Sequence, residues 1–134
     1  MSKIEAFFKE NIKSKGNEFY IASGRFRDEA GKPIQWELRE VPTELMEDIK
    51  ERTKFYQEND KMMGRFAMET VIASVVFPDL RDKALQDSYG VKKPNELLYK
   101  MLNTAELDML KIKALEVNGY GEDFNALAGE AKNS

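Results

Sequence analysis

The chain of 134 residues contains no cysteine and no histidine. The first absence excludes disulfides, thiolate metal sites and a cysteine nucleophile. The second removes the side chain that most often acts as general acid or base near neutral pH. With both gone, the Ser-His and Cys-His arrangements of nucleophilic catalysis are impossible. Long apolar runs are missing too: Val71 to Phe77, interrupted by Ser74, falls far short of the ~20 residues that span a bilayer. The opening residues, Met1-Ser2-Lys3-Ile4-Glu5, lack the apolar stretch of a signal peptide, so a cytoplasmic protein without membrane association is expected. None of the 8 glycines stands in a Walker or dinucleotide-binding spacing. Nor is there an excess of positive charge. Lys and Arg number 21 against 24 Asp and Glu, a formal net charge of -3, so no nucleic-acid partner is expected. The basic series Lys3, Lys9, Lys13 and Lys15 is diluted by Glu5, Glu10 and Glu18 and reads as a solvated helix face.

What is present has the composition of one globular domain, with 42% hydrophobic and 34% charged residues. A chain of this length buries roughly 65–70% of its unfolded surface, enough for one cooperative core. Carboxylates, lysines and tyrosines are the residue types left for chemistry. Asp79 and Asp82 stand close enough to share a metal, but an aspartate at the start of a helix also satisfies its exposed amides, and capping is the preferred reading. No cofactor, metal site or catalytic residue is expected.

The apolar spacing divides the chain into three parts. Within residues 1–16, Ile4, Phe7, Phe8 and Ile12 recur at helical intervals before Lys15-Gly16-Asn17 breaks the pattern. Residues 17–41 predict a β-hairpin, with strands over Phe19–Ser23 and Ile34–Val41 joined by the turn residues from Asp28 to Pro33. Residues 42–131 predict a series of helices. The first is capped by Thr43 and supported by an Asp48–Arg52 pair. The second runs from Asn59 to Phe77, although Val71–Phe77 also fits a buried strand. A third, capped by Asp79, runs from Leu80 to Gly90. A fourth opens at Pro94, a fifth spans Thr104 as cap to Gly119 as stop, and a last one holds Phe124. The expected fold is α+β: one domain over residues 1–134, with an N-terminal β-hairpin packed beside a mostly helical remainder.

Four aromatic residues near the chain ends, Phe7, Phe8, Tyr120 and Phe124, are candidate anchors for a protein partner. Core burial is the preferred reading of each. Trp36 is assigned to the hairpin core, and Met62, Met63 and Met101 to ordinary core packing.

Four strings carry a family resemblance: SGRFRDEAGKPIQWELR at residues 23–39, ASVVFPDLRDKALQDSYGV at 73–91, ELLYKMLNTAEL at 96–107, and EVNGYGEDFNALAGEAKN at 116–133. Together they resemble the XkdN-like tail assembly chaperones of phages, prophages and phage-derived tail particles of Gram-positive bacteria. The hairpin string and the FPDLRDKALQDSYGV segment are the most distinctive, and Glu44 to Lys61 the least. The resemblance implies a non-catalytic chaperone that holds the tape measure protein soluble and helps the tail tube protein assemble around it. Such a protein acts in the cytoplasm of the bacterial host and is absent from the mature particle. A homo-oligomer stays open, and the rival reading is a structural tail or baseplate component retained in the particle.

Overall fold

Alternation through Ile34–Arg39 puts Trp36 and Leu38 on one face of an extended segment, and the computed structural model buries both, at 1% and 0% exposure. The structure describes the backbone of residues 2–13, 15–55, 60–121 and 124–132 and, except for residues 60–63, 124–126 and 128, their side chains. Strands β1 (Glu18–Tyr20) and β2 (Trp36–Leu38) pair antiparallel, with Tyr20 opposite Trp36 and Glu18 opposite Leu38. The expected hairpin is there, with strands of three residues each instead of five and eight. Its turn closes on Asp28, whose Oδ1 accepts from the N–H of Ala30 at 2.9 Å and of Lys32 at 3.0 Å, while Gly31 takes a φ of 80°.

A third strand, β3 (Val75–Phe77), pairs antiparallel with the other side of β2 and completes a sheet ordered β1-β2-β3. The region after residue 42 is therefore not wholly helical, and helix α2 (Asp60–Ser74) stops short of the expected Phe77. Three constraints converge there. Pro78 drives the residue before it toward extended backbone, Val75 and Val76 are β-branched, and β2 presents an open edge. The N–H of Arg39 donates to the Ser74 carbonyl at 2.8 Å. Glu37 then opposes Phe77 while Leu38 opposes Val75, leaving Val76 as the extra residue of a bulge.

The remaining helices are α1 (Thr43–Thr53), α3 (Lys83–Ser88), α4 (Pro94–Met101), α5 (Thr104–Val117) and α6 (Phe124–Lys132). Their caps differ from those expected. Thr43 and Thr104 are the first residues of their helices. Pro42 precedes α1 without a side-chain cap, and Asn103 caps α5. Asn103 accepts from the Glu106 N–H at 2.8 Å while the Glu106 carboxylate accepts from the Asn103 N–H at 2.9 Å. Asn ranks above Thr as a cap, and Asn103 stands where its side-chain oxygen reaches the N3 amide. Likewise Asp82, not Asp79, caps α3 by accepting from the Leu85 N–H at 2.8 Å, and Asp79 accepts from the Arg81 N–H at 3.0 Å in the turn before it. The Asp48–Arg52 pair gives way to an Arg52–Glu69 ion pair at 3.1 Å that ties α1 to α2.

Helix α2 lies between the other layers and packs against α1, α4 and α5. Met68 and Val71 join Trp36, Leu38, Leu97, Leu98 and Leu110 in the main core, whereas Phe66 joins Val41, Met46 and Ile49 in a second cluster. Two polar residues of α2 are fully buried. Thr70 returns its hydroxyl to the Phe66 carbonyl at 2.8 Å, and the Ser74 hydroxyl accepts from Asn118 Nδ2 at 2.9 Å. Asn118 also donates to the Ala114 carbonyl at 2.7 Å and accepts from the Val41 N–H at 2.7 Å. One amide thus joins the end of α5, the end of α2 and the approach to α1.

Two predictions test this framework. Asn118→Ala leaves the Val41 N–H without its acceptor at a part-buried position and should lower unfolding free energy by about 2 kcal/mol in urea titration followed by Trp36 fluorescence. The second concerns Glu106, whose carboxyl is lowered from 4.5 to about 2 by the Asn103 N–H first and then by the Ser23 hydroxyl, partly offset by burial, with lesser contributions from the Arg25 guanidinium. Its folded pKa lies below its unfolded one, so its contribution is complete above about pH 4.5 and fades as pH falls toward 2. Glu106→Gln should flatten the acid limb of stability across that window, and an acid limb identical to the parent's would refute the assignment.

Candidate partner-binding surfaces

The first sixteen residues do not form the expected helix. They make two 3-10 turns, Ile4–Phe7 and Lys9–Asn11, separated at Phe8 by extended backbone with ψ 144°. An isolated helix of this length is marginal in water, and stability comes from burying its apolar face. None of its described residues is buried. Ile4, Phe7, Phe8 and Ile12 are 66, 75, 46 and 62% exposed. Core burial, the preferred reading of Phe7 and Phe8, is therefore overturned for both. Tyr120 behaves differently: it is half-buried in the second cluster, its ring meeting Phe66 edge-on at a centroid distance of 5.8 Å. Phe124 begins α6, and its side chain lies outside the described residues, as do those of Met62 and Met63. Met101 is core. Phe7 and Phe8 are not among the residues packed on the second cluster, where Tyr120 lies.

A second surface went unseen in the linear sequence. Along the outer stripe of α2, two depressions of about 520 and 680 Å³ share Glu69, Ile72 and Arg81 and so form adjoining sections of one trough. Leu45, Ile72, Val75 and Val76 give the first section a mainly apolar lining, and the second mixes Met68, Pro94 and Tyr99 with polar groups. Its rim is cationic. Arg39, Arg52 and Arg81 border the first section, and Arg65, Lys93 and Lys111 border the second. Among the described residues Glu69 is the one carboxylate lining either section, and Arg52 already pairs with it at 3.1 Å. These cations are scattered from Arg39 to Lys111, so no local run of charge announces them. Only the fold brings them together.

Chemistry has less to build on. Among the described residues no group of three or more acidic side chains is placed to hold a metal ion, and Asp79 and Asp82 are both engaged with backbone amides. Among the described residues, no helix is long and apolar enough to cross a membrane.

The sequence model of the phage XkdN-like tail assembly chaperone family matches residues 4–132. The chain belongs to that family. It is 34% identical over 121 residues to the phage-like element PBSX protein XkdN of Bacillus subtilis strain 168, covering 83% of this chain and 80% of XkdN. YqbN, an uncharacterized protein of the same organism, is 27% identical over 120 residues, with the same coverage of each chain. The crystal structure of YqbN superposes with a TM-score of 0.77 at 19% identity, over 90% of this chain and 98% of that one. The α+β fold is therefore shared with a solved relative.

For a tail assembly chaperone the contrast between its aromatic residues is measurable. Phe7→Ser with Phe8→Ser should leave unfolding free energy within about 0.5 kcal/mol of the parent, because neither ring is buried. Tyr120→Ser removes a packed ring and should cost about 2 kcal/mol. Urea denaturation of both variants checks the pair.

Proposed function

We propose that this tail assembly chaperone is non-catalytic, binds the tape measure protein, and also meets the tail tube protein during assembly. It acts in the host cytoplasm and leaves before the particle matures. Family membership supports the assembly role. The observation that carries the finer reading is the N-terminal segment, where four large apolar side chains stand exposed within nine residues, whereas the other exposed ones among the described residues, such as Phe19, Phe77, Tyr99 and Met109, are scattered singly or in pairs. A chaperone of this kind must cover apolar surface on a long partner and then let go. A short segment that has no fold of its own to give up suits such a cycle, because it orders on the partner and the ordering cost keeps the complex weak enough to be displaced. Phe7 and Phe8 are the proposed anchors, two large aromatic rings whose burial would come only from the partner. Tyr120, already packed, serves the fold of the second cluster.

Coexpression tests the reading. The tape measure protein encoded beside this gene should become soluble and copurify with the chain, and Phe7→Ser with Phe8→Ser should reduce the recovered complex severalfold while the variant stays folded. Failure to copurify with either the tape measure or the tube protein, with all partners folded, would instead favour a component retained in the tail. Detection of the chain in purified mature particles would count the same way.

A further inference from the structure

The trough along α2 combines apolar lining with a border whose charges, apart from Glu69 in its pair with Arg52, are all positive. The chain as a whole is acidic, with a net charge of -3. Five cations nevertheless border this one depression beyond the Arg52–Glu69 pair, and among the described residues no further carboxylate lines it. Arg39 is held in place by donating through Nε to the Ala73 carbonyl at 3.0 Å, and Lys111 stands on α5, the helix most extensively packed on α2. The rim is therefore partly rigid. Along α2 the trough extends from Arg65 to the strand that follows Ser74, roughly 15 Å at the helical rise, which is the length of about three helical turns.

We propose that this trough docks an acidic amphipathic segment of a protein partner, with the segment's apolar side chains on the floor and its flanking carboxylates against the rim. Charge complementarity selects this occupant. A basic segment would be repelled by the five cations, and a purely apolar one would leave them desolvated and unpaired. A nucleic acid is disfavoured by the same arithmetic: a long polyanion meets the acidic remainder of the molecule, whereas a short segment feels chiefly the charges within about 8 Å at physiological salt. The apolar floor also offers a phosphate backbone nothing to pair with. The site is separate from the Phe7–Phe8 segment and does not depend on it, so each can be lost without the other.

The test uses the full chain and a fluorescein-labelled synthetic peptide of about three helical turns, with leucines on one face and glutamates on both flanks. Fluorescence anisotropy should show binding that weakens with salt and is at least about tenfold tighter than that of the analogue with glutamine for every glutamate. Arg81→Glu with Lys93→Glu, both at exposed positions, should weaken binding by about tenfold or more, as should Arg65→Glu with Lys111→Glu. Lys32→Glu, on the hairpin turn, should change it less than twofold, an effect of long-range charge alone. Circular dichroism melts confirm that each variant is folded, and the Phe7→Ser with Phe8→Ser variant should bind the peptide as the parent does. Absence of binding, equal binding of the glutamine analogue, or indifference to both pairs of reversals overturns the proposal. So does equal affinity for a single-stranded oligonucleotide or an anionic phospholipid vesicle, either of which would make the trough a general polyanion site.

Discussion

Everything in this fold passes through the end of α2. At Ser74 the chain leaves the central helix and becomes the third strand, and three groups hold it there. The Arg39 N–H takes the Ser74 carbonyl, the Arg39 guanidinium takes the Ala73 carbonyl, and Asn118 takes the Ser74 hydroxyl while accepting from Val41. A helix terminus leaves its last carbonyls without intrahelical partners, and a buried terminus must find them elsewhere. Here the partners come from β2 and the end of α5, so satisfying the backbone of one helix fixes the sheet, the start of α1 and the last core helix relative to it. The bulge at Val76 follows, since the strand has to leave at the angle that α2 dictates.

That geometry also makes the trough. The stripe of α2 that carries Arg65, Glu69 and Ile72 would be an ordinary exposed helix face if β3 left in another direction. Because β3 turns back along β2, Val75 and Val76 wall one end of it, and the turn carrying Arg81 closes over the middle. Arg39 then serves twice: it caps the helix carbonyls and adds charge to the rim. The Arg52–Glu69 pair, partly exposed at 54 and 39%, contributes little to stability by itself. Its larger consequence is to neutralise the one carboxylate that would otherwise oppose the rim.

Much of the architecture was legible in the residues, and the failures share a cause. Period-2 alternation at Trp36 and Leu38, period-3.6 stripes at Leu97–Leu98–Met101 and Leu107–Leu110–Ala114, and the Asp28–Gly31 turn all report local pattern, and all hold. Where two neighbours compete, pattern cannot decide. Thr104 and Asn103 both suit a cap, Asp79 and Asp82 both suit another, and in each pair the winner is set by which oxygen reaches the amide. Val71–Phe77 was open to both helix and strand because both are true: its first four residues are helical and its last three form the strand beside β2. Only the long-range partner at Arg39 determines where one becomes the other. The trough was invisible for the same reason, being built from residues of several elements that meet after folding.

The N-terminal segment is the opposite case, in which local pattern predicts an element that tertiary structure does not supply. Ile4, Phe7, Phe8 and Ile12 carry helical spacing, yet all four stay exposed, and the backbone settles into two separate turns. A spacing that encodes an amphipathic face is informative even when that face is unused within the molecule. Four exposed large apolar groups are a solubility hazard with no return in stability, and a fold that already closes two cores has no need of them. Their place in the chain is intelligible if the missing surface belongs to another protein. The same reasoning separates the two surfaces by physics. The N-terminal segment offers apolar contact that must be ordered on binding, whereas the trough offers a preformed depression with charge around it. A partner engaging the first loses affinity through ordering entropy, and one engaging the second gains rate and selectivity from the field. A chaperone that must both capture and release can use that difference, because salt and a competing acidic surface would weaken the second contact without touching the first.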